Sequence, residues 1–322
     1  MAAPDLPIID FASFEHGTRG DRQKIGADID RACRGTGFFY LANHGIARPI
    51  LDNAFGAAAH FFACPVAEKR RIAIENSPCH RGWFALGGEV LDHITHPEGD
   101  FKEGIKIGQD LPPDHPRVRA RIALHGPNQW PDIAGWQDTM QNCFTACETL
   151  GRQLMQAFAI ALALDEQFFA PWLRLPMATL GPLYYPPMDA TKHGRISAGA
   201  HTDFGCLTLL AQQDIGGLEI LMPDGTWCAV PPRENMLVVN IGDMLARWTN
   251  DRYASTRHRV VNRSDAARVS LAFFFDPDPD VDLSPLPGCL PAGETPKYPP
   301  ATSLSHLLDK IADSFAYRNQ TN

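Results

Sequence analysis

Apolar positions along this 322-residue chain change their period near the middle. In the first half they recur at helical spacing. Ile25, Ile29 and Ala32 form a partial stripe that predicts a helix over 19–35. Leu51, Phe55, Ala58 and Phe62 predict a second over 48–63, ended by Cys64-Pro65, with a short helix after it holding Glu68, Lys69 and Arg70. Met140, Phe144, Cys147, Gly151, Leu154, Phe158 and Leu162 mark a long helix over 133–164, a stripe that reads as core packing. Leu6–Phe11 and Gly37-Phe-Phe-Tyr-Leu-Ala read as strands, the second ended by a turn-like Asn43-His44-Gly45. Residues 76–113 read as loops and short strands, with alternation enough for a strand in 100–108.

After Pro176 short β-prone runs take over, at 178–185, 196–203, 205–211, 217–221, 226–230, 235–239, 256–262 and 268–275. Strands at this spacing, separated by Gly, Asp, Asn and Pro, suggest a sandwich or barrel rather than βαβ units. Residues 276–300 carry eight prolines and are expected to lie extended over the surface. Ser303–Phe315 reads as a last amphipathic helix, with Leu304, Leu307, Leu308, Ile311 and Phe315 on one side. The expected fold class is mixed α/β with a mainly-β core. Its parts are an α/β region at 5–125, a connecting long helix at 126–175, a β core at 176–280 and a Pro-rich segment with a helix at 281–322, all one integrated unit.

Composition narrows the partners. A net charge of -8 and a pI near 5.8 argue against a nucleic-acid or anionic-membrane surface. The eight cysteines contain no CxxC pair, and their density is not that of a disulfide scaffold. No basic segment followed by an apolar run opens the chain, and no uninterrupted apolar stretch approaches the roughly 20 residues of a membrane span. The expectation is a cytoplasmic protein, a monomer, acting on a small molecule.

The stretch that carries chemistry is His201-Thr-Asp203-Phe-Gly205. In a strand, His201 and Asp203 point to one face, and Leu207 and Leu209 are expected to continue that face. Taken alone, a His-x-Asp pair is more often an exposed polar strand face. A metal site needs a third ligand. His193 sits in a Thr-Lys-His-Gly-Arg loop and His306 beside Ser305 in the terminal helix, and both read as exposed. His258 stands in a strand where Thr256, His258 and Val260 share one face and Arg257 and Arg259 the other. Two histidines and one carboxylate, leaving open positions, are the ligand set of non-haem Fe(II) oxygenases, although zinc hydrolases use similar ligands. Ten residues on, Arg268-Val-Ser270 puts a guanidinium and a hydroxyl on one face, a carboxylate anchor if that face turns inward. Tyr185, before Pro186-Pro187, adds a hydrogen-bonding group. Asn240-Ile-Gly-Asp243 reads as a turn holding the end of the barrel, not as a source of a catalytic carboxylate.

With these motifs in order, the chain resembles the isopenicillin N synthase-like family of Fe(II)- and 2-oxoglutarate-dependent oxygenases. The likeness runs through Gly37–Gly45, Tyr184-Tyr185-Pro186, His201–Gly205, Gly217-Leu-Glu, Val239–Asp243, Trp248-Thr-Asn250, Ser255–Val260 and Arg268–Ser270. The resemblance implies a double-stranded β-helix (jelly-roll) core surrounded by helices, with a non-haem dioxygenase-type N-terminal region. It implies iron ligands at His201, Asp203 and His258, and the distal 2-oxoglutarate carboxylate on Arg268 and Ser270. Tyr185 matches a tyrosine that helps hold the cosubstrate. Leu183 stands where relatives have asparagine, and is left out of the site.

The activity so implied uses Fe(II), 2-oxoglutarate and O2, and couples decarboxylation of the keto acid to hydroxylation, desaturation or cyclisation of a small metabolite. Three rivals share the motifs: an oxidase that grips its substrate's carboxylate with Arg268 and Ser270, an ethylene-forming enzyme acting on 2-oxoglutarate, and an inactive small-molecule binder. Phe204, Phe274, Trp83, Phe84 and Lys106 are the candidate substrate-pocket residues.

Overall fold

In the computed structural model, which describes residues 6–188 and 196–315, the β-prone runs pair into two sheets. The strands are β1 (Ile8–Asp10), β2 (Phe38–Ala42), β3 (Gly82–Phe84), β4 (Glu103–Gly108), β5 (Met177–Tyr185) and β6 (Ala198–His201). They continue as β7 (Leu207–Gln212), β8 (Leu218–Leu221), β9 (Trp227–Ala229), β10 (Met236–Ile241), β11 (His258–Val260) and β12 (Arg268–Asp276). The larger sheet has the order β1-β2-β10-β7-β12-β5-β4-β3, and the smaller β6-β11-β8-β9. From β5 onward the chain passes repeatedly between the sheets, which is how a double-stranded β-helix is wound. The expected jelly-roll core is present.

Eight helices among the described residues surround the sheets. They are α1 (Ser13–His16), α2 (Arg19–Gly35), α3 (Arg48–Ala63), α4 (Val66–Lys69), α5 (Pro116–Arg119), α6 (Trp136–Ala161), α7 (Asp243–Trp248) and α8 (Ser303–Ser314). Of these, α2, α3 and α6 pack on the larger sheet. α2 begins at a capping box in which Thr18 accepts from the Asp21 N–H and Asp21 answers the Thr18 N–H. α6 buries the predicted stripe, Met140, Phe144, Cys147, Leu154 and Phe158 among it.

Strand alternation then sorts the larger sheet's side chains by face. Phe39, Leu41, Leu209, Val239, Leu271 and Phe273 join the core beneath the helices. Their neighbours Phe38, Tyr40 and Val238 face the smaller sheet and pack with Leu218, Ile220 and Val260. Each fully buried side chain of this size contributes on the order of 1.5–3 kcal/mol. The inner space holds the site.

The proline-rich segment departs from expectation. Val281, Leu283, Leu286 and Cys289 are buried in the main core, and the Leu286 N–H donates to the Trp248 carbonyl at 2.8 Å. Only 291–300 is exposed throughout. Apolar residues between the prolines anchor the strap that carries the chain to α8. His193 lies outside the described residues.

Candidate active site

β6 ends at His201, and the chain leaves the smaller sheet through 202–206 to enter the larger one as β7. His201 and Asp203 therefore do not share one continuous strand with Leu207 and Leu209. Those leucines face the helices, while Thr208 faces the inner space. The crossing is tight. A Cβ on Gly205 would lie 2.1 Å from Asp276 Oδ1, and the Cys206 N–H donates to that oxygen at 2.6 Å.

His258 comes from β11, paired directly with His201 of β6, and the two ring centroids are 4.3 Å apart. Asp203 Oδ1 is 3.8 Å from His201 Nε2 and 3.5 Å from His258 Nε2. All three donor atoms lie within 4.8 Å of one another, a span one metal ion can bridge. Backbone carbonyls settle the tautomers. His201 Nδ1 donates to Gly199 O at 2.7 Å and His258 Nδ1 to Thr256 O at 3.2 Å. Each Nε2 lone pair is thereby left for a metal.

The carboxylate is oriented just as firmly. Asp203 Oδ2 accepts from Thr208 Oγ1 and from Asn240 Nδ2, both at 2.6 Å, which leaves Oδ1 to face the imidazoles. Burial pushes the His201 imidazole down to about 3, and His258 beside it adds to the fall. Burial would raise Asp203, but the two imidazoles and the Thr208 hydroxyl hold it well below the usual carboxylate range. His258 is raised, because Asp203 outweighs its burial.

Asn240 corrects the sequence reading. β10 runs on to Ile241, so Asn240 is a strand residue aimed at Asp203 and not part of a turn. The turn begins at Gly242, where a Cβ would sit 2.4 Å from the Gly205 carbonyl oxygen. The Asp243 and Met244 N–H groups then hold the carbonyls of Asp203 and Gly205 at 2.8 and 3.0 Å. Asp243 itself binds Ser255 and Lys310 and stays out of the chemistry.

Across the cavity, β12 presents Arg268 and Ser270 from the opposite sheet to His258. Arg268 is fully buried. Its guanidinium lies 4.6 Å over the Tyr185 ring, and Nη2 donates to Gln212 Oε1 at 3.1 Å. Its Nε and Nη1, and Ser270 Oγ, have no partner among the described residues. A buried charged donor left unpaired costs more than about 1–3 kcal/mol, so this corner is built for an anionic acceptor. Leu183 pairs with Ser270 on the adjacent strand and lines the cavity. Nothing in the sequence pointed to Gln212.

The cavity, about 170 Å³, is also lined by Phe204, Phe274 and Lys106, three of the five pocket candidates. Trp83 does not reach it. Trp83 points to the helix-covered face, where its indole N–H donates to Glu103 Oε2 at 2.6 Å beside Lys69. Phe84 also stops short, standing edge-on behind Phe315 with centroids 5.7 Å apart. The sequence reading gave α8 no part in the site, yet Leu307, Ile311 and Phe315 close one wall. His306, expected at the surface, is half-buried with Nε2 2.9 Å from the Phe204 carbonyl. With Lys310 bound to Asp243 at 2.8 Å, it docks α8 beside the triad.

Comparison with known proteins agrees with this geometry. Residues 6–133 match the family described as the N-terminal part of non-haem dioxygenases in morphine synthesis, and 179–277 match the 2OG-Fe(II) oxygenase superfamily. The 2-oxoglutarate-Fe(II) type oxidoreductase hxnY of Emericella nidulans is 39% identical over 94% of this chain and 88% of its own length. A full-length Neurospora crassa protein, solved in complex with alpha-KG and thymine, aligns with a TM-score of 0.85 at 31% identity, covering 97% of this chain and 98% of that one. JOX2, solved with 2OG, Fe and JA, aligns with a TM-score of 0.78 at 28% identity, over 98% and 88%. A two-histidine, one-carboxylate cluster facing a buried arginine across a jelly roll is what such an enzyme requires, and this chain belongs to the Fe(II)- and 2-oxoglutarate-dependent oxygenases, with Fe(II), 2-oxoglutarate and O2 as its cofactors.

Proposed function

We propose that His201, Asp203 and His258 hold the iron, and that Arg268, Ser270 and Tyr185 receive the 2-oxoglutarate carboxylate far from it. The observation that carries this division is the set of unpaired donors, Arg268 Nε and Nη1 and Ser270 Oγ, facing the same cavity as the triad. The donor set fits a divalent metal: two imidazoles with free Nε2 lone pairs and one carboxylate oxygen. Fe(II) with the keto acid and O2 supplies the oxidising power, releasing succinate and CO2 as the substrate is hydroxylated, desaturated or cyclised.

The protein's own residues do the rest. Thr208 and Asn240 fix the Asp203 carboxylate, and the Gly199 and Thr256 carbonyls fix the two rings. Arg268 neutralises one end of the cosubstrate and sets its direction, with the Tyr185 ring 4.6 Å from the guanidinium. Leu183, Leu210, Leu218 and Val260 keep that end dry, which strengthens the ion pair. Phe204, Phe274 and the α8 residues shape the space for a small metabolite.

Anaerobic titration of the Fe(II)-loaded protein with 2-oxoglutarate tests the assignment. A visible metal-to-keto-acid charge-transfer band is expected, absent in Asp203→Ala and recovered in Arg268→Met only at much higher 2-oxoglutarate. A full-strength band in Asp203→Ala would refute the triad.

A further inference from the structure

Two lysines near the start of β4 behave differently. The Lys102 ammonium is engaged by Asp100 and, at 2.8 Å, by Glu89 Oε2, and it is fully buried. Lys106 has one carboxylate neighbour among the described residues, Glu89 Oε1, at 3.4 Å, the outer limit of a hydrogen bond. Its side chain is only 12% exposed, and that remnant opens on the cavity of the metal triad. Around it stand rings: Phe274 at 5.4 Å, Phe84 at 5.5 Å and Phe315 at 5.8 Å from the ammonium. Aromatic faces attract a cation, but they leave most of its three donors without a strong acceptor.

The sheet leaves room beside it. Register puts Lys106 opposite Gly181 on β5, and Gly181 opposite Ala272 on β12, so the two positions next to its stem carry almost no side chain. The stem leans over Phe274, whose partner across the next strand is Thr208, the residue that holds Asp203. Three strand spacings, about 14 Å, separate the Lys106 backbone from Thr208 along the sheet, and the stem leaning over Phe274 reduces the gap from the ammonium to the triad to about 5–10 Å. That is the length of a six-membered ring with one carboxylate.

Building on the oxygenase assignment above, we propose that the substrate is a small ring-bearing monocarboxylate, its carboxylate taken by Lys106 and its ring lying between Phe274 and the triad. The carboxylate completes the coordination that Glu89 leaves open. Lys106 is then a specificity-determining residue and Lys102 a structural one.

Benzoate, benzamide and acetate serve as probes, added anaerobically to the protein loaded with Fe(II) and 2-oxoglutarate. Binding is read by calorimetry and by perturbation of the charge-transfer band. Benzoate is expected to bind at least tenfold more tightly than either benzamide or acetate. Lys106→Met should erase the preference for benzoate over benzamide, and Lys106→Arg should keep it, with 2-oxoglutarate affinity in both variants reporting that the fold is intact. Equal affinity for benzoate and benzamide, no binding of benzoate, or an undiminished preference in Lys106→Met overturns the proposal. Failure of the protein to bind Fe(II) and 2-oxoglutarate at all is a different result, and brings down the oxygenase assignment with it.

Discussion

Asn240 and Asp203, 37 residues apart in the chain, meet with the amide nitrogen 2.6 Å from Oδ2. The amide fixes which carboxylate oxygen turns toward the imidazoles. Removing it in Asn240→Ala frees the carboxylate to rotate, and metal affinity should fall about 10–100-fold, the usual cost of losing a group that orients a ligand. Competition against a metallochromic chelator measures this. Wild-type affinity in that variant would mean that Thr208 alone suffices.

Arg268→Met should leave metal affinity unchanged while weakening 2-oxoglutarate about 10–100-fold, from the roughly 1.5–3 kcal/mol of a hydrogen bond to a charged group. Arg268→Lys should fall between, because an ammonium keeps the charge and loses the planar fork. Equal losses in the two variants would show that geometry, rather than charge, dominates this corner.

Asp276 gives the metal-free protein a pH signature. Burial pushes its carboxyl up to about 7, against the Cys206 N–H that lowers it, and the charge on Asp203 adds to the rise. A carboxyl raised above its unfolded value near 3.8 holds its proton in the folded state, so its contribution to stability declines as pH climbs from about 4 to about 7. The full loss is at most about 4 kcal/mol. Asp276→Asn keeps an oxygen for the Cys206 N–H but cannot ionise. Its stability relative to wild type should therefore rise across that window, in urea titrations with chelator present. A difference independent of pH would sink the assignment.

Trp83→Phe separates structure from site. Glu103 loses the indole donor but keeps Lys69 at 2.8 Å, so the expected cost is about 1–3 kcal/mol of stability. Affinity for Fe(II) and 2-oxoglutarate should not change, since Trp83 faces the helices. A loss of cosubstrate affinity without a loss of stability would restore Trp83 to the pocket.

The limits of reading the chain follow from how each residue reaches the site. His258, Arg268 and Ser270 were legible because alternation along one strand assigns a face and their side chains obey it. Asn240 was misread because its strand outruns the β-prone run by two residues, and Gly242-Asp243 looks like a turn that has already begun. Leu207 and Leu209 were assigned to the wrong face because the crossing at 202–206 resets the alternation, and nothing local marks where one sheet is left for the other. Trp83 and Lys106 lie on neighbouring strands whose facing depends on pairing rather than on their own pattern. The part played by α8 depends on His306 and Lys310 docking it across the end of the barrel, contacts that span 102 and 67 residues. Local periodicity cannot encode these.

The triad's two histidines belong to the smaller sheet, and Arg268 with Ser270 to the larger. A molecule held at both ends is thus a strut between two walls otherwise joined by apolar packing. Its length becomes a gauge of the gap, so substitutions among the apolar residues between the sheets that thicken or thin the sandwich should detune turnover without touching the site. Cosubstrate would stiffen the barrel against heat more than either sheet's own packing implies. For a mutational survey, the sensitive positions then include quiet core residues such as Val238 and Ile220, which pack between the sheets and do not line the cavity.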